Sequence, residues 1–500
     1  MSSISCTADK MSRCRTRPQV VDILKPLAAA QICLKEGAAL MKSRLHLPLL
    51  IVCFALLAAC GGKVIPTRDG TLPMWMGTLE DLRRYPQNLT EYAKAAGEDK
   101  LLLSPAEQAN QTARFMRLTF GPWEMVKTST RKRDVAVLFN KARGYKDGYT
   151  RWTQAEWDAM SANAALGSFP SRSQAAIAVR NTNLRELPTN EARFSEPTPD
   201  PKANPFDYFQ YSLLPVGTPV LIAHTSRDGR WHYVECAIAG GWVADEDLAP
   251  VSAEFKHIYR NSTFAAFIRD KVTLTTPMGS IIANIGTILP MRGSSSAYEG
   301  ADAGTQTVEL MAPVRGADGM AELAPVTTTG ADAVPWPMRM TPGNVAKVGN
   351  VMMGQPYGWG GMFGDRDCSA LTRELLATFG IWLPRNSVSQ ARTGAVTMLE
   401  GMPTEAKEDQ IMRNGVPFLS LVGMRGHIML YVGKYNGRPV IFHNVWGVRT
   451  VEGSDTDHRF VIGRAVVTSI TPGSELKNLY RTTTFADRLR TLSTPADTLQ

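Results

Sequence analysis

Five hundred residues are too many for one ordinary hydrophobic core, and units of about 100–200 residues imply three or four domains. With 44% apolar and 20% charged residues the composition is that of a soluble globular chain, so a multidomain protein is expected. A formal charge of +9 suits an anionic partner such as cell-wall polymer, nucleic acid or lipid headgroups, but no dense basic stripe with interleaved aromatics occurs, which argues against nucleic acid.

The one long apolar run is "LPLLIVCFALLAAC", residues 47–60, preceded by Met41, Lys42, Arg44 and His46. A basic start, a short apolar stretch and small residues at its end form an export signal, too short to span a membrane as a helix. Its end, "LAAC", resembles the lipobox of bacterial lipoproteins, which implies that Cys60 is lipidated and that the protein is anchored in the cell envelope, facing the periplasm. A buried apolar helix is the alternative, and the Gly61-Gly62 break argues against it. Met41 is a plausible start, which makes 1–40 an extension outside the fold and 41–60 the signal. Of seven cysteines, Cys6, Cys14, Cys33 and Cys53 precede Cys60, so only Cys236 and Cys368 remain in the mature chain, where they could form one disulfide.

Residues 61–172 read as a tether followed by a helical unit without visible chemistry. "SPAEQANQTARFMRLTF" opens with a Ser-Pro cap, and "TQAEWDAMSANAAL" has Thr153 as N-cap with Glu156 in the capping-box position. "FGPW", residues 120–123, is a turn with aromatic anchors. From about 174 short strands follow, rich in β-branched and aromatic residues and broken by Asn, Asp, Gly and Pro. The pieces "NLRELPT" and "RWHYVECAIAGGWVADEDL" resemble bacterial SH3-like domains, with one copy expected over 173–252 and a weaker one over 253–335. Such barrels bind rather than catalyse. Trp231 and Tyr233 are candidate substrate contacts, although aromatics there are more often core than ligand platform.

The last unit opens with Thr341-Pro342, capping a helix with Val345, Val348, Val351 and Met352 at helical spacing. A glycine-rich loop leads to "RDCSALTRELLATFG", where Asp367 is an N-cap, Leu371, Leu375 and Phe379 share a face, and Gly380 is a stop. Cys368 therefore sits in a first helical turn, where the helix dipole is expected to lower its pKa below the free value of about 8.5. His427 opens the alternating strand "HIMLYVG" and His443 lies in "PVIFHNVWG", with the Asn-Gly hairpin signal of "KYNGRP" between them. Nucleophile, base and orienting histidine thus follow in the order of papain-like enzymes. Three zinc ligands are the alternative, without the paired spacing zinc sites favour. Asp365 and Asp367 could pair as carboxylates, but capping explains Asp367, and His458 reads as a solvated loop residue.

"YGWGG…RDCSALTRELLATFGIWLPRNSVSQ" and "GHIMLYVG…PVIFHN" resemble the catalytic domain of NlpC-type cell-wall cysteine peptidases, expected over 336–480 with 481–500 as a tail. The resemblance implies an α+β chain, a papain-like NlpC domain preceded by two small SH3-like β-barrels and a helical N-terminal segment. It implies Cys368 as nucleophile, His427 as base and His443 as its orienter. Tyr357 would help close the oxyanion site, and Asp367, Ser369 and Ser387 would contact the substrate. The implied reaction is hydrolysis of the γ-D-glutamyl–diamino acid bond of peptidoglycan stem peptides, favouring a free N-terminal L-alanine, by a monomer needing no metal or organic cofactor. Ala370 stands where glycine is commoner, a change that suits a helix. A non-catalytic peptidoglycan-binding lipoprotein, or an amidase or acyltransferase of the same fold, is the alternative.

Overall fold

The computed structural model describes residues 79–198, 204–293, 304–452 and 455–496. The expected export segment and Cys60 lie outside them.

The leading segment is helical: α1 (Glu80–Arg84), α2 (Leu89–Ala96), α3 (Pro105–Phe120), α4 (Lys132–Ala136) and α5 (Gln154–Asn163), with a small hairpin of β1 (Tyr145–Asp147) and β2 (Thr150–Arg151) before α5. Local chemistry explains the ends. Ser104 Oγ accepts the Glu107 N–H at 3.0 Å with Pro105 behind it, and Thr153 and Glu156 form both halves of a capping box. "FGPW" is a short 3₁₀ turn whose Phe120 and Trp123 pack with Phe255 and Tyr259.

Seven strands follow as one antiparallel sheet: β3 (Gln174–Ala178), β4 (Thr182–Arg185), β5 (Gln210–Leu214), β6 (Pro219–Thr225), β7 (Trp231–Cys236), β8 (Gly240–Ala244) and β9 (Leu248–Pro250). Their order is β5-β4-β8-β7-β6-β3-β9, closed around Leu184, Leu214, Val220, Ile222, Val234 and Val243. Helix α6 (Ala253–Asn261) leads to a second small β unit. It comprises β10 (Phe264–Phe267), β11 (Val272–Thr276), β12 (Gly279–Ala283), β13 (Ile288–Pro290), β14 (Thr307–Arg315), β15 (Ala321–Thr329) and β16 (Ala333–Trp336). Phe267, Leu274, Leu289, Leu310 and Val326 form its own core.

The last unit layers α7 (Pro342–Met352) and α8 (Cys368–Ala377) on one face of a six-stranded antiparallel sheet. After α8 come α9 (Ser387–Gln390), β17 (Ala395–Met398), α10 (Thr404–Asn414), β18 (Leu421–Met424), β19 (His427–Tyr435), β20 (Arg438–Glu452), β21 (Asp455–Ser469) and β22 (Leu489–Thr494). The strand order is β17-β22-β18-β19-β20-β21. Asn436 and Gly437, at φ 49° and 79°, make the two-residue turn that fixes the β19–β20 register. The alternation of β19 holds: Ile428, Leu430 and Val432 face Leu371 and Leu375, while Met429 and Tyr431 enter a second core with Ile411 and Leu492. Residues 481–496 are not merely a tail. Buried Leu489 and Leu492 draw β22 between β17 and β18, an inner position that only non-local pairing creates.

Asp270 of the second β unit ties it to the last one. Its carboxylate receives a fork from buried Arg366 at 2.6 and 2.8 Å, and Arg366 also donates to Glu374 at 2.6 Å. Burial alone would raise the Asp270 carboxyl, but the Arg366 guanidinium, with Gln355 and the Ile285 N–H, holds it below the usual carboxylate range. A depressed folded-state pKa contributes stability that is present above about pH 4 and lost as pH falls through the folded value. Asp270→Asn should therefore cost about 1.5–3 kcal/mol near neutrality, where buried Arg366 loses one of its two carboxylate partners and keeps Glu374. Thermal melts of parent and variant should converge below pH 4; a gap that stays constant into acid would contradict this.

Candidate active site

The loop before α8 folds onto the first barrel because two glycines let it. Gly360 and Gly361 adopt φ 63° and 89°, and a Cβ would lie 2.5 Å from the Gln210 carbonyl oxygen and 2.6 Å from Leu213 Cβ respectively. Asp367 gathers the surrounding donors. One oxygen accepts the Ala370 N–H at 2.8 Å, capping α8, and the Ser369 hydroxyl at 3.0 Å; the other accepts the Gly360 N–H at 3.1 Å. Arg385 forks onto both oxygens at 2.6 and 3.2 Å, and its Nε donates to Ser212 Oγ of β5 at 2.8 Å. Burial would raise the Asp367 carboxyl, yet the Arg385 guanidinium beside it keeps it below the carboxylate range and so ionised.

Cys368 is buried at the first position of α8, and the N–H of Ile428, the residue after His427, lies against its sulfur. His427 Nε2 meets His443 Nδ1 at 2.7 Å, and His443 Nε2 meets Thr468 Oγ1 at 3.1 Å. Phe485 stands edge-on to both rings, with centroids 5.9 Å away. The structure thus brings Cys368, His427 and His443 into one site. It overturns the expected low thiol pKa: burial, reinforced by the Asp367 carboxylate, pushes Cys368 up to about 12, outweighing the amides of the helix start. Burial, with Arg488 adding to it, brings His427 down to about 3, and burial beside His427 drives His443 well below its ordinary value. At neutral pH both groups are therefore uncharged, a thiol and an imidazole.

A cavity of about 380 Å³ opens over Cys368, lined by Tyr357, Asp367, Ser369, Arg385 and Ser387 on one side and by Glu186, Tyr208, Gln210 and Tyr211 of the first barrel on the other. A second, of about 190 Å³, adjoins His427 and Arg488. Burial, with the nearby Cys368 and Asp367 adding to it, raises the Tyr357 phenol well above its ordinary value, so it stays a neutral donor. Ser369 is already bonded to Asp367 and accepts from Arg385 at 2.8 Å, which leaves it a wall more than a free hand. Trp231 and Tyr233 are not in the Cys368 cavity: they pack with Trp242 against Val135, Ala164 and Phe169, where the helical leader covers the first sheet, and alternation cannot separate such a covered ring from a ligand platform. Cys236 and Cys368 are both free thiols. Among the described residues no metal-holding cluster of His, Cys, Asp and Glu occurs.

Sequence reasoning missed Glu186, Arg385, Thr468 and Phe485. Thr468 and Ser469 were visible only as two adjacent hydroxyls in the strand text "RAVVTSI". A thiol held up by burial should alkylate with iodoacetamide more slowly than free cysteine at pH 7, with a rate still rising at pH 10. A plateau below pH 8 would contradict the dominance of burial over the helix dipole at this sulfur.

Three family models match the chain. Residues 49–169 match the N-terminal NLPC_P60 stabilising domain, 193–244 an SH3 domain of the SH3b1 type, and 354–465 the NlpC/P60 family. Among curated proteins no match was found. Of solved structures, a novel NlpC/P60 endopeptidase from Photobacterium damselae subsp. piscicida is similar at 24% identity and a TM-score of 0.72, over 83% of this chain and 98% of that one. An NlpC/P60 family protein from Bacillus cereus ATCC 10987 aligns at 14% identity and a TM-score of 0.42, over 65% of this chain and 100% of that one. The chain thus carries an NlpC/P60 family domain behind an SH3 domain and the stabilising domain of the same family.

Proposed function

We infer that the protein is a peptidoglycan hydrolase, a cysteine endopeptidase that cleaves the γ-D-glutamyl–diamino acid bond of stem peptides. The observation that carries this reading is that Cys368, at a helix start beneath a cavity lined in part by the SH3 domain, has against its sulfur the N–H of Ile428, the residue next to a His427 that is bonded to His443. The Cys368 sulfur attacks the γ-carbonyl carbon while its proton passes to His427. His427 then gives that proton to the leaving amine as the C–N bond breaks, and water hydrolyses the thioester. On this reading Tyr357, which lines the cavity beside Cys368, helps close the oxyanion site.

The barrel wall favours a short substrate with a free N-terminal L-alanine. Glu186 is buried there, paired with Lys141 through one oxygen, while the other has no hydrogen-bond partner. That oxygen is a natural acceptor for an ammonium group entering the cavity. On the same reading the chain is tethered in the cell envelope through Cys60, an assignment that rests on the "LAAC" ending.

Reduced protein should release free diaminopimelate from L-Ala-γ-D-Glu-diaminopimelate, detected by mass, and Cys368→Ala should abolish the release without changing the melting curve. Glu186→Gln should raise KM for this tripeptide roughly 10-fold and leave an N-acetylated analogue unaffected. No release from the tripeptide or from whole peptidoglycan would move the protein to the binding-lipoprotein reading.

A further inference from the structure

A histidine in the orienting position carries an ambiguity. A neutral imidazole has one N–H and one bare nitrogen, so two rings joined nitrogen to nitrogen can be wired in either direction. If His427 Nε2–H donates to His443 Nδ1, His427 keeps a lone pair on Nδ1 and can take the Cys368 proton. In the reverse wiring, His443 Nδ1–H donates to His427 Nε2, the His427 proton sits on Nδ1, and the base is blocked. The 2.7 Å separation is the same in both.

Thr468 resolves the direction. Its hydroxyl has one proton, and Oγ1 lies 2.8 Å from the Ser469 carbonyl oxygen, which can only accept. The proton is therefore spent on that carbonyl, and Oγ1 offers a lone pair to His443 Nε2 at 3.1 Å. His443 must then carry its proton on Nε2, which leaves its Nδ1 bare and obliges His427 to donate from Nε2. Donation by Thr468 to His443 instead would set two buried oxygens 2.8 Å apart with no proton between them. The strand register supplies the placement: Val466 pairs with His443, so Thr468, two residues on, shares its face of the sheet. The strand end is itself held, since the Asp81 carboxylate of α1 accepts the Ser469 N–H at 2.9 Å and its hydroxyl at 2.8 Å.

We propose that Thr468 is a positioning residue whose hydroxyl fixes the His443 tautomer and so leaves His427 Nδ1 as the proton acceptor for Cys368. The consequence for rate rests on the reading of Cys368 and His427 as the reacting pair; the wiring itself does not. In ¹⁵N spectra of histidine-labelled protein at neutral pH, His427 and His443 should both be Nε2–H tautomers. Thr468→Val should shift His443 towards the Nδ1–H form and lower kcat roughly 10- to 100-fold with little change in KM, because the Nε2–H would otherwise be buried without an acceptor. Thr468→Ser, which keeps the hydroxyl, should recover most of the lost rate and restore the parent spectrum. A parent spectrum with His443 protonated at Nδ1, or a folded Thr468→Val variant with parent tautomers and parent kcat, would overturn the proposal. If the parent cleaves no stem peptide the proposed function fails, and the spectra still decide the wiring.

Discussion

The buried carboxylate of Asp367 is the constraint on which the site depends. Five hydrogen bonds converge on it, from Gly360, Ser369, Ala370 and twice from Arg385, and each serves a different part of the structure. It caps the helix that presents Cys368, fixes the glycine loop against β5, and holds the guanidinium that reaches Ser212 of the first barrel. A lone buried charge would be prohibitive, so this one persists because Arg385 pairs with it and nearly every lone pair is used. The barrel wall and the nucleophile are thus placed by the same group.

That placement has an electrostatic consequence. Burial of the sulfur, with an anion adjacent to it, opposes a standing thiolate even at a helix start. The histidines are held neutral by the same burial, to which the Phe485 ring, edge-on to both, contributes. The site therefore stores no thiolate–imidazolium pair, and its ion pair is that of Asp367 with Arg385. On the proposed function, proton transfer from sulfur to imidazole accompanies attack on the carbonyl. A stored thiolate would be open to oxidation, whereas a neutral buried thiol is less reactive.

What was legible in the sequence was what local chemistry determines. The Asp367, Ser104 and Thr153 caps, the Asn436-Gly437 turn and the strand alternation of β19 depend on neighbours within a few residues, and the order Cys368, His427, His443 follows from them. The thiol's pKa was read in the wrong direction because burial depends on chain far from α8. Trp231 and Tyr233 were misplaced because a period of two names a face without saying what covers it. Glu186, Arg385 and Phe485 reach the site from three separate segments, and β22 is an inner strand only because β17 and β18 receive it. Thr468 needed the β20–β21 register, which no local signal fixes across fifteen-residue strands.

The central claim is that Cys368 carries the acyl group, and the most direct test is to look for it. Protein mixed with L-Ala-γ-D-Glu-diaminopimelate is quenched in acid within milliseconds, digested, and mapped by mass. The account predicts an L-alanyl-γ-D-glutamyl thioester on the peptide containing Cys368, formed as diaminopimelate is released and absent from Cys368→Ala. Release of diaminopimelate with no adduct at any time, or with an adduct on another residue, would contradict it.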